Sequence, residues 1–267
     1  MSKKINDYEE RIVLFLDILG FTKLVEDSVR NEERFRKIQT SIRVIRHTFN
    51  ITQKTKDRTI TQFSDSLIVS FKNTEKGEVA FLLWKTNELL QKLIVKGIVC
   101  RGGIAKGKLI HNDVFVFGPA FLEAYRLESK IAIFPRVIIA DESIMVTGVE
   151  NYGFHPALDQ KYEKSEIDSL LKLDFDGFYY VDYFNFKTIM EMSIKDKTYV
   201  NKLRELIIER LNSNKNNLYV TQKYQWMKNK FNEVVKILKM DNRIELCGFK
   251  IGSDKNSKFY KRLKAIE

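Results

Sequence analysis

The sequence has few of the residues that divide a chain into separate pieces. It contains 3 prolines and 12 glycines among 267 residues, and no low-complexity run or internal repeat interrupts it. Because linkers and disordered segments are rich in proline, glycine and polar repeats, neither a long linker nor disorder is expected. With 44% hydrophobic residues, the chain can form one large domain, or one domain with an appendage.

Cysteines, histidines and long apolar segments are also scarce. Cys100 and Cys247 have no histidine or cysteine neighbours at metal-ligand spacing, so the sequence supports neither a disulfide framework nor a zinc site and predicts two packed thiols. His47, His111 and His155 lack paired ligand spacing and are expected to be surface or structural residues. No apolar run approaches the ~18 residues of a membrane span, and the first residues are charged, so we expect a cytoplasmic protein with no membrane partner.

Acidic residues are outnumbered by basic ones, and the formal net charge is +11. This excess suits an anionic partner, but it is spread along the chain, with one denser zone near the C-terminus. The sequence contains no helix-turn-helix pattern and no basic run interleaved with aromatic residues that would stack single-stranded bases. A nucleic-acid partner is therefore not expected.

The first half of the chain alternates between strand and helix patterns. RIVLFLD (11–17) predicts a buried strand, and 31–50 predicts a helix. RTITQF and SLIVSF predict a β-hairpin with Ser64 and Asp65 at its tip. A second helix is predicted over 78–93, and IVCRGGIAKGKLI then predicts a strand pair. The apolar stripe of the first helix contains Phe35, Ile38, Ile42, Ile45 and Phe49. This order is the ferredoxin-like arrangement, an α+β fold.

The second half predicts a short helix, two more strands and two long helices. GPAFLEAYRLESK places Pro119 in the first turn of the short helix, and the strands are predicted at 136–140 and 177–184. KLRELIIERL and KFNEVVKILKM carry amphipathic stripes typical of helices that pack on another part of the protein.

Two carboxylates of the first half are expected to meet. Asp17 ends the first strand and Asp65 lies at the hairpin tip, and in a ferredoxin-like sheet these ends are neighbours. Paired carboxylates repel each other unless a cation is present, and Mg²⁺ and Mn²⁺ prefer such oxygen ligands. Spacing alone leaves another interpretation open, in which Asp17 caps a turn and Asp65 makes local hydrogen bonds.

Four segments, in order, resemble class III nucleotidyl cyclases. FLDILGFT is similar to their first metal-site motif, TQFSDSLIVSF to their second metal hairpin, IVCRGGIAKGKL to their Arg, Gly-Ile, Gly segment, and FGPAFLEAYRLES to the helix that follows. The resemblance covers residues 11 to about 130. It implies a ferredoxin-like βαββαβ cyclase catalytic domain over 1–186 and a mainly helical C-terminal extension over 187–267, packed on the core or the dimer.

The resemblance also implies how a nucleoside triphosphate would be held. It assigns Asp17, Asp65 and the carbonyl of Ile18 to two divalent cations, Mn²⁺ or Mg²⁺. The backbone of Leu19, Gly20, Phe21 and Thr22 would cradle the triphosphate, and Gly20 would allow a close approach of the amides.

Arg126 matches the transition-state arginine of the family, whose forked donors suit charge on phosphoryl oxygens. A plain salt bridge to Glu123 or Glu128 on the helix face is the alternative. In that family the metals lie on one subunit and the arginine on its partner. A homodimer with active sites at the interface is therefore implied.

The sequence departs from the family where purine cyclases read the base. Thr61 stands at the position of the base-selecting lysine, and Phe115 at the position of its acidic or polar partner. Leu122 replaces the asparagine that orients the ribose, for which Glu123 or Tyr125 could substitute. With Phe63 adding aromatic surface, this base and ribose pocket suits a smaller base than a purine. A pyrimidine is expected.

The FxDxxGF motif, the Ser-Asp hairpin and a C-terminal extension containing KYQW (Lys223–Trp226) together resemble the pyrimidine cyclases of bacterial Pycsar anti-phage systems. This implies conversion of UTP to 3′,5′-cyclic UMP and diphosphate by two-metal in-line attack of the 3′-hydroxyl, with CTP as the second choice. The product would activate a separate effector protein in anti-phage defence. Thr61, Gln62 and Ser64 are the candidates for distinguishing uracil from cytosine.

Other functions stay open at this point. A degenerate cyclase domain could bind a nucleotide as a sensor, which the missing ribose asparagine favours and the intact Asp17, Asp65 and Arg126 oppose. A purine nucleotide cyclase is a further alternative. A polymerase or nuclease with the same two-carboxylate site would suit the basic charge, but the chain has no recognisable strand-binding domain.

Overall fold

The computed structural model describes residues 8–49, 57–153, 160–185, 188–189, 196–240, 259–260 and 262–267. His155, predicted to be a surface or structural residue, and Cys247, predicted to be a packed thiol, lie outside these residues. The chain divides into two compact units, Met1–Asp182 and Tyr183–Glu267. The domain boundary at residue 186 stays a prediction.

The first unit contains the sheet and most of the shorter helices. Its strands are β1 Glu9–Ile18, β2 Thr59–Phe63, β3 Ser66–Lys72, β4 Cys100–His111, β5 Val116–Phe117, β6 Val137–Ile139, β7 Leu171–Leu173 and β8 Tyr179–Val181. Its helices are α1 Phe21–Ser28, α2 Glu32–Thr48, α3 Glu78–Val95, α4 Pro119–Arg126, α5 Ser143–Glu150 and α6 Gln160–Leu170. One π-helical turn, Leu127–Ile131, continues α4.

The strands lie in the order β2-β3-β1-β4-β6-β8-β7, and β5 pairs with β4. β1 is antiparallel to both β3 and β4, and β6 is parallel to β4. The order of the first four strands, and the helices between them, are those of the ferredoxin-like arrangement. The predicted α+β fold is confirmed.

β1 is apolar on both faces because both faces of the sheet are covered. Val13 and Phe15 point to the side of α4, where they form a buried cluster with residues of β3, β4 and α4. Ile12 and Leu14 point to the opposite side and are fully buried. That side is reached by the two crossover connections, whose helices α2 and α3 contact each other.

Helix α4 lies unusually close to β4, and a glycine permits the contact. A Cβ atom at Gly103 would lie 2.5 Å from the carbonyl oxygen of Ala124 and from Cβ of Leu127. These distances are impossible for real side chains. Gly103, part of the RGGI segment, therefore fixes the position of α4 and of the π-helical turn on the sheet.

The predicted helices over 31–50 and 78–93 are confirmed as α2 and α3, but the stripe of α2 is buried only in part. Ile45 and Phe49 are buried, whereas Phe35 is 49% exposed. The first turns of α2 therefore face outward, and only its C-terminal half packs in the core.

The segment IVCRGGIAKGKLI is not a strand pair, and that prediction was wrong. It forms the single strand β4, which runs without a turn from Cys100 to His111. Gly107 has a φ of 151°, which glycine tolerates without ending the strand. The partner of its far end is the two-residue strand β5, Val116–Phe117.

Arg136 ties the last strands to the rest of the sheet. It stands just before β6, is fully buried, and forms ion pairs with Asp174 and Asp176 in the turn between β7 and β8. Its Nη1 also lies 3.1 Å from Oδ1 of Asp176. A buried guanidinium is tolerated only with such partners.

The second unit contains two long helices that contact each other, α7 Asp196–Ser213 and α8 Leu218–Met240. They correspond to the two predicted amphipathic segments. The buried residues of these stripes are Leu203, Leu206, Ile207, Phe231, Val235 and Leu238. Trp226, from the KYQW segment, packs edge-on against Phe184 with ring centroids 5.8 Å apart. None of the described helices is both long and apolar enough to cross a membrane.

Candidate active site

Asp17 and Asp65 meet at one end of the sheet. Asp17 is the next-to-last residue of β1, opposite Arg101 of β4. Asp65 follows Ser64 in the two-residue turn between β2 and β3, and Ser64 has a left-handed φ of 54°. Ser66, the first residue of β3, donates a hydrogen bond from its hydroxyl to Oδ1 of Asp17 at 3.1 Å. The predicted hairpin therefore brings the second carboxylate to the first.

The two carboxylates interact strongly. Burial, followed by the charge of Asp65 and a hydrogen bond between the two carboxyl groups, raises the pKa of Asp17 to about 7. Glu128 raises the pKa of Asp17 further, and the hydroxyl of Ser66 opposes the rise. One carboxyl group of the pair therefore holds a proton near neutral pH unless a cation replaces it.

Glu128 is a third carboxylate at this end of the sheet, where the sequence offered it only as a salt-bridge partner of Arg126. It lies in the π-helical turn and is 3% exposed. Its carboxylate pairs with the guanidinium of Arg101 on β4. Burial raises the pKa of Glu128, the charge of Arg101 lowers it, and Asp65 raises it again. Arg101 therefore offsets only part of the negative charge of the cluster formed by Asp17, Asp65 and Glu128, called the carboxylate cluster below.

The residues present fit a divalent cation of the Mg²⁺ or Mn²⁺ type. The pair offers hard oxygen donors whose mutual repulsion a cation would relieve. Among the described residues, no group of three or more Asp, Glu, His or Cys side chains is arranged to hold a metal ion. A cation here would therefore be held by Asp17 and Asp65.

The segment predicted to cradle phosphates is the start of helix α1, which the sequence analysis did not predict. Gly20 caps α1 with a φ of 76°, and Phe21 and Thr22 form its first turn. A Cβ at Gly20 would meet no atom within 4 Å, so the glycine is explained by its backbone conformation and not by close packing. The Leu19 amide donates to the carbonyl of Val99 at 2.9 Å. Only the amides from Gly20 onward are therefore available to a phosphate group.

Arg126 lies at the end of α4 and pairs with Glu123 one turn earlier. Its Nε and Nη2 each donate to a carboxylate oxygen of Glu123 at 2.7 Å. Both side chains are substantially exposed, and within the described part of the chain Arg126 bonds Glu123 alone. The helix-face salt bridge considered from the sequence is thus present, with Glu123 as its partner. Glu128 pairs elsewhere.

The position aligned with the base-selecting lysine carries a hydroxyl held by a histidine. Oγ1 of Thr61 lies 2.9 Å from Nε2 of His111, and Nδ1 of His111 lies 2.9 Å from Oγ of Ser70. His111 is 7% exposed, so it is not the surface residue that the sequence allowed. Burial and the charge of Arg11 lower its pKa to about 4. His111 is therefore neutral at physiological pH.

The other predicted pocket residues are exposed aromatic or aliphatic side chains. Phe63 at the end of β2 is 78% exposed, Phe115 is 49% exposed, and Leu122 on α4 is 66% exposed. Phe115 lies at the end of the turn that leads from β4 to β5, and its backbone amide donates to Oδ1 of Asn112 at 3.0 Å. His111 joins this turn to Thr61, so Thr61 and the segment of Phe115 are neighbours. Gln62 points to the opposite face of β2.

Cys100, the described cysteine, is a buried thiol next to the carboxylate pair. Burial, with the charges of Asp17 and Asp65 adding to it, raises the pKa of Cys100 well above its usual value. The thiol therefore stays protonated and is a packing residue, as the sequence predicts.

No protein-family model and no curated protein sequence matches the chain. Similar solved structures include the adenylyl cyclase CyaB from P. aeruginosa, which is 17% identical with a TM-score of 0.44 over 66% of this chain and 95% of that one. A bacterial light-regulated adenylyl cyclase is 14% identical with a TM-score of 0.37 over 50% of this chain and 77% of its own. A further structure of a bacterial light-regulated adenylyl cyclase is 13% identical with a TM-score of 0.35, over 53% and 45% of the two chains.

Proposed function

We propose that this protein is a class III nucleotidyl cyclase that uses a pyrimidine nucleoside triphosphate, UTP in the first place and CTP in the second. The observation that carries the proposal is the pairing of Asp17 with Asp65, which raises the pKa of Asp17 to about 7 at the end of a ferredoxin-like sheet. Two carboxylates held this close are unfavourable without a ligand, and such sites are typical of function. The four cyclase-like segments support the same assignment.

Asp17, Asp65 and the carbonyl of Ile18 would hold two divalent cations, Mg²⁺ or Mn²⁺, against the triphosphate. When bound, such cations lower the pKa of the ribose 3′-hydroxyl and neutralise the diphosphate leaving group. The amides of Gly20, Phe21 and Thr22 at the start of α1 would donate to phosphate oxygens, where the helix dipole favours negative charge. The 3′-oxygen would form a bond to the α-phosphorus as its proton passes to water, and the bond between the α-phosphorus and the bridging oxygen would break, which releases diphosphate.

Arg126 would stabilise the charge that develops on the α-phosphoryl oxygens. Its exposed position and its exposed partner Glu123 support a role at a surface that a second subunit completes. The guanidinium would exchange one carboxylate partner, Glu123, for a phosphoryl group of the substrate held by the other subunit. We therefore propose a homodimer whose active sites lie at the interface.

The pocket residues support a pyrimidine. Thr61 brings a small hydroxyl where a purine cyclase carries a lysine, and Phe115 brings a ring where it carries an acidic or polar group. A cyclic pyrimidine nucleotide made by such an enzyme would act as a second messenger in anti-phage defence and would activate an effector protein. This biological role rests on the resemblance of the sequence motifs alone.

The decisive experiment is to incubate the protein with each of the four nucleoside triphosphates and Mn²⁺, and to identify the products by mass. Cyclic UMP as the main product is expected, with less cyclic CMP. Cyclic AMP or cyclic GMP as the main product would overturn the pocket argument. Nucleotide binding without turnover would make the protein a sensor, and neither binding nor turnover would defeat the assignment.

A matched pair of variants tests the metal assignment. Asp65→Asn should reduce cyclisation by about a thousandfold, because it removes a proposed metal ligand while keeping the size of the side chain. Asp168→Asn makes the same change on the exposed face of α6 and should leave activity intact. Circular dichroism of both variants checks that the fold is kept, and an active Asp65→Asn variant would contradict the assignment.

The homodimer is tested by mixing two inactive variants. Asp65→Asn lacks a metal ligand and Arg126→Ala lacks the arginine, so a mixed dimer has one complete site out of two. Random mixing in equal amounts should restore about a quarter of the wild-type activity, because half of the dimers are mixed. If the mixture stays inactive although both variants dimerise, both residues serve the same subunit's site.

A further inference from the structure

Four side chains form a continuous hydrogen-bond chain on the α4 side of the sheet, called the His111 chain below. Nε of Arg11 on β1 donates to Oγ of Ser70 on β3 at 3.0 Å. Ser70 contacts Nδ1 of His111 at 2.9 Å, and Nε2 of His111 contacts Oγ1 of Thr61 on β2 at 2.9 Å. Arg11, Ser70 and His111 are buried, and only Thr61 is partly exposed. The chain therefore begins at a fixed charge and ends at the position that faces the proposed base.

The direction of each hydrogen bond follows from the groups involved. A guanidinium can only donate, so the Ser70 oxygen accepts from Arg11. Ser70 is completely buried, and leaving its hydroxyl hydrogen unpaired would be costly. Within the described residues, its remaining partner is Nδ1 of His111. Ser70 therefore donates to Nδ1.

A neutral imidazole has one N–H and one acceptor nitrogen. Burial lowers the pKa of His111 to about 4, so the ring is neutral at physiological pH. Because Nδ1 accepts from Ser70, the proton of the ring is on Nε2. Nε2 then donates to Oγ1 of Thr61, and the hydroxyl hydrogen of Thr61 points away from the histidine.

We propose that His111 is a positioning residue that holds the Thr61 hydroxyl as a hydrogen-bond donor toward the O4 carbonyl of a uracil base. This inference rests on the proposed cyclase function and names its preferred base. Cytosine carries an amino group at the same position, which is itself a donor and cannot accept from Thr61. A site built around a fixed donor disfavours such a base because two donors are left facing each other.

The tautomer is measured directly, without any activity. In the full-length protein at pH 7, ¹⁵N chemical shifts of the imidazole nitrogens should show His111 with the proton on Nε2. The chain has three histidines, so the His111→Phe variant assigns the signals by loss. A proton on Nδ1, or a ring protonated on both nitrogens, overturns the inference because Thr61 would then not be held as a donor.

The base preference is measured as the ratio of kcat/KM for UTP over CTP. Thr61→Val keeps the shape of the side chain and should lower this ratio about tenfold or more, mainly through loss of UTP turnover. Thr61→Ser keeps the hydroxyl and should retain most of the ratio. Thr59→Val makes the same change on the same face of β2, outside the His111 chain, and should leave the ratio unchanged.

The His111→Phe variant distinguishes a positioning role of His111 from a purely structural role. A merely structural histidine would lower turnover of UTP and CTP equally, whereas loss of the held donor should lower the UTP to CTP ratio as Thr61→Val does. Equal losses for both nucleotides in Thr61→Val, or a wild type that prefers CTP, would defeat the base assignment alone. Absence of any cyclic product from the wild type would defeat the proposed function and the base assignment together.

Discussion

Two polar groups lie on the same side of the sheet and differ in how well they are paired. In the His111 chain the donors of Arg11, Ser70 and His111 along the chain each face an acceptor, and the Thr61 hydroxyl at its end is held in one orientation. In the carboxylate cluster three acidic side chains face each other with one guanidinium among them. The interior of the first group is paired without a ligand, and the second group is not. A complete network fixes the orientation of a side chain, while an incomplete one gives a ligand something to stabilise.

The largest expected effect is the loss of cyclase activity when a residue of the carboxylate cluster is replaced. Asp65→Asn should reduce cyclisation by about a thousandfold, because charge stabilisation at phosphoryl groups is lost. The same change should raise the stability of the metal-free protein above pH 7, since Asp17 no longer faces a second negative charge. Urea unfolding in EDTA measures this gain. A loss of both activity and stability would show that repulsion between the carboxylates does not destabilise the folded protein.

The contribution of His111 to the free energy of unfolding should change with pH in the opposite direction to the contribution of the carboxylate cluster. The pKa of His111 is lowered from 6.5 to about 4, so the unfolded state binds the extra proton between these values. Its stabilising contribution is complete above pH 6.5 and is lost as the pH falls toward 4. The expected loss is about 2 kcal/mol. Urea unfolding of Asp17→Asn between pH 4 and 7 measures it with the opposing carboxyl removed.

The pKa of Asp17 is raised from 3.8 to about 7, so here the folded state binds the extra proton. The contribution of this carboxyl group to the free energy of unfolding is fully present below pH 3.8 and is lost as the pH rises through 7. Because the group is partly exposed to solvent, we expect a loss of only about 1–2 kcal/mol. The metal-free His111→Phe variant should show this decline, measured by urea unfolding. Stability that rises from pH 4 to 7 in that variant would contradict the prediction.

Binding of Mn²⁺ should relieve the electrostatic repulsion within the carboxylate cluster. At ten times its dissociation constant, a cation that binds only the folded state stabilises it by about 1.4 kcal/mol. Binding near pH 6.5 should also release a proton from Asp17. Calorimetry in two buffers of different ionisation enthalpy detects that release. The control variant Asp168→Asn should release the same number of protons as the wild type. Unchanged stability and no proton release would argue against a metal at Asp17.

The smallest effect is expected at the exposed pair of Arg126 and Glu123. Glu123→Gln should leave the free energy of unfolding nearly unchanged, because exposed ion pairs contribute little. Urea unfolding at low and high salt measures the change. A loss of several kcal/mol would mean that the pair supports the fold, and Arg126 would then not be available for a substrate.

The sequence was sufficient for the parts of the site that lie at the ends of regular elements. Asp17 ends an apolar strand and Asp65 stands in a two-residue hairpin turn, so the ferredoxin-like order alone predicts that they meet. Both signals are local patterns combined with one topological rule. The start of α1 was missed because its eight residues follow a glycine that also fits a phosphate-binding loop.

Glu128 and His111 could not be found in this way. Glu128 follows Ala120, Ala124 and Leu127 at helical spacing, so the pattern places it on the buried side of this helix. The spacing does not show that its carboxylate pairs with Arg101 of β4. His111 has partners 41 and 50 residues away, on two other strands. No spacing rule connects them. The position of Glu128 depends on how α4 packs on β4, which Gly103 permits through a close contact that the sequence shows only as a glycine. The partners of His111 depend on the register of the strands.

Arg136 sets the minimum length of a stable fragment. The cyclase-like segments end near residue 130, but the guanidinium just beyond them is buried and relies on Asp174 and Asp176 for its counter-charge. We expect a chain cut between Arg136 and Asp174 to be strongly destabilised, because the guanidinium would lose both of these carboxylates. The stretch that carries the motifs and the stretch that must be expressed to study them are therefore different, and the second has to extend through Asp176.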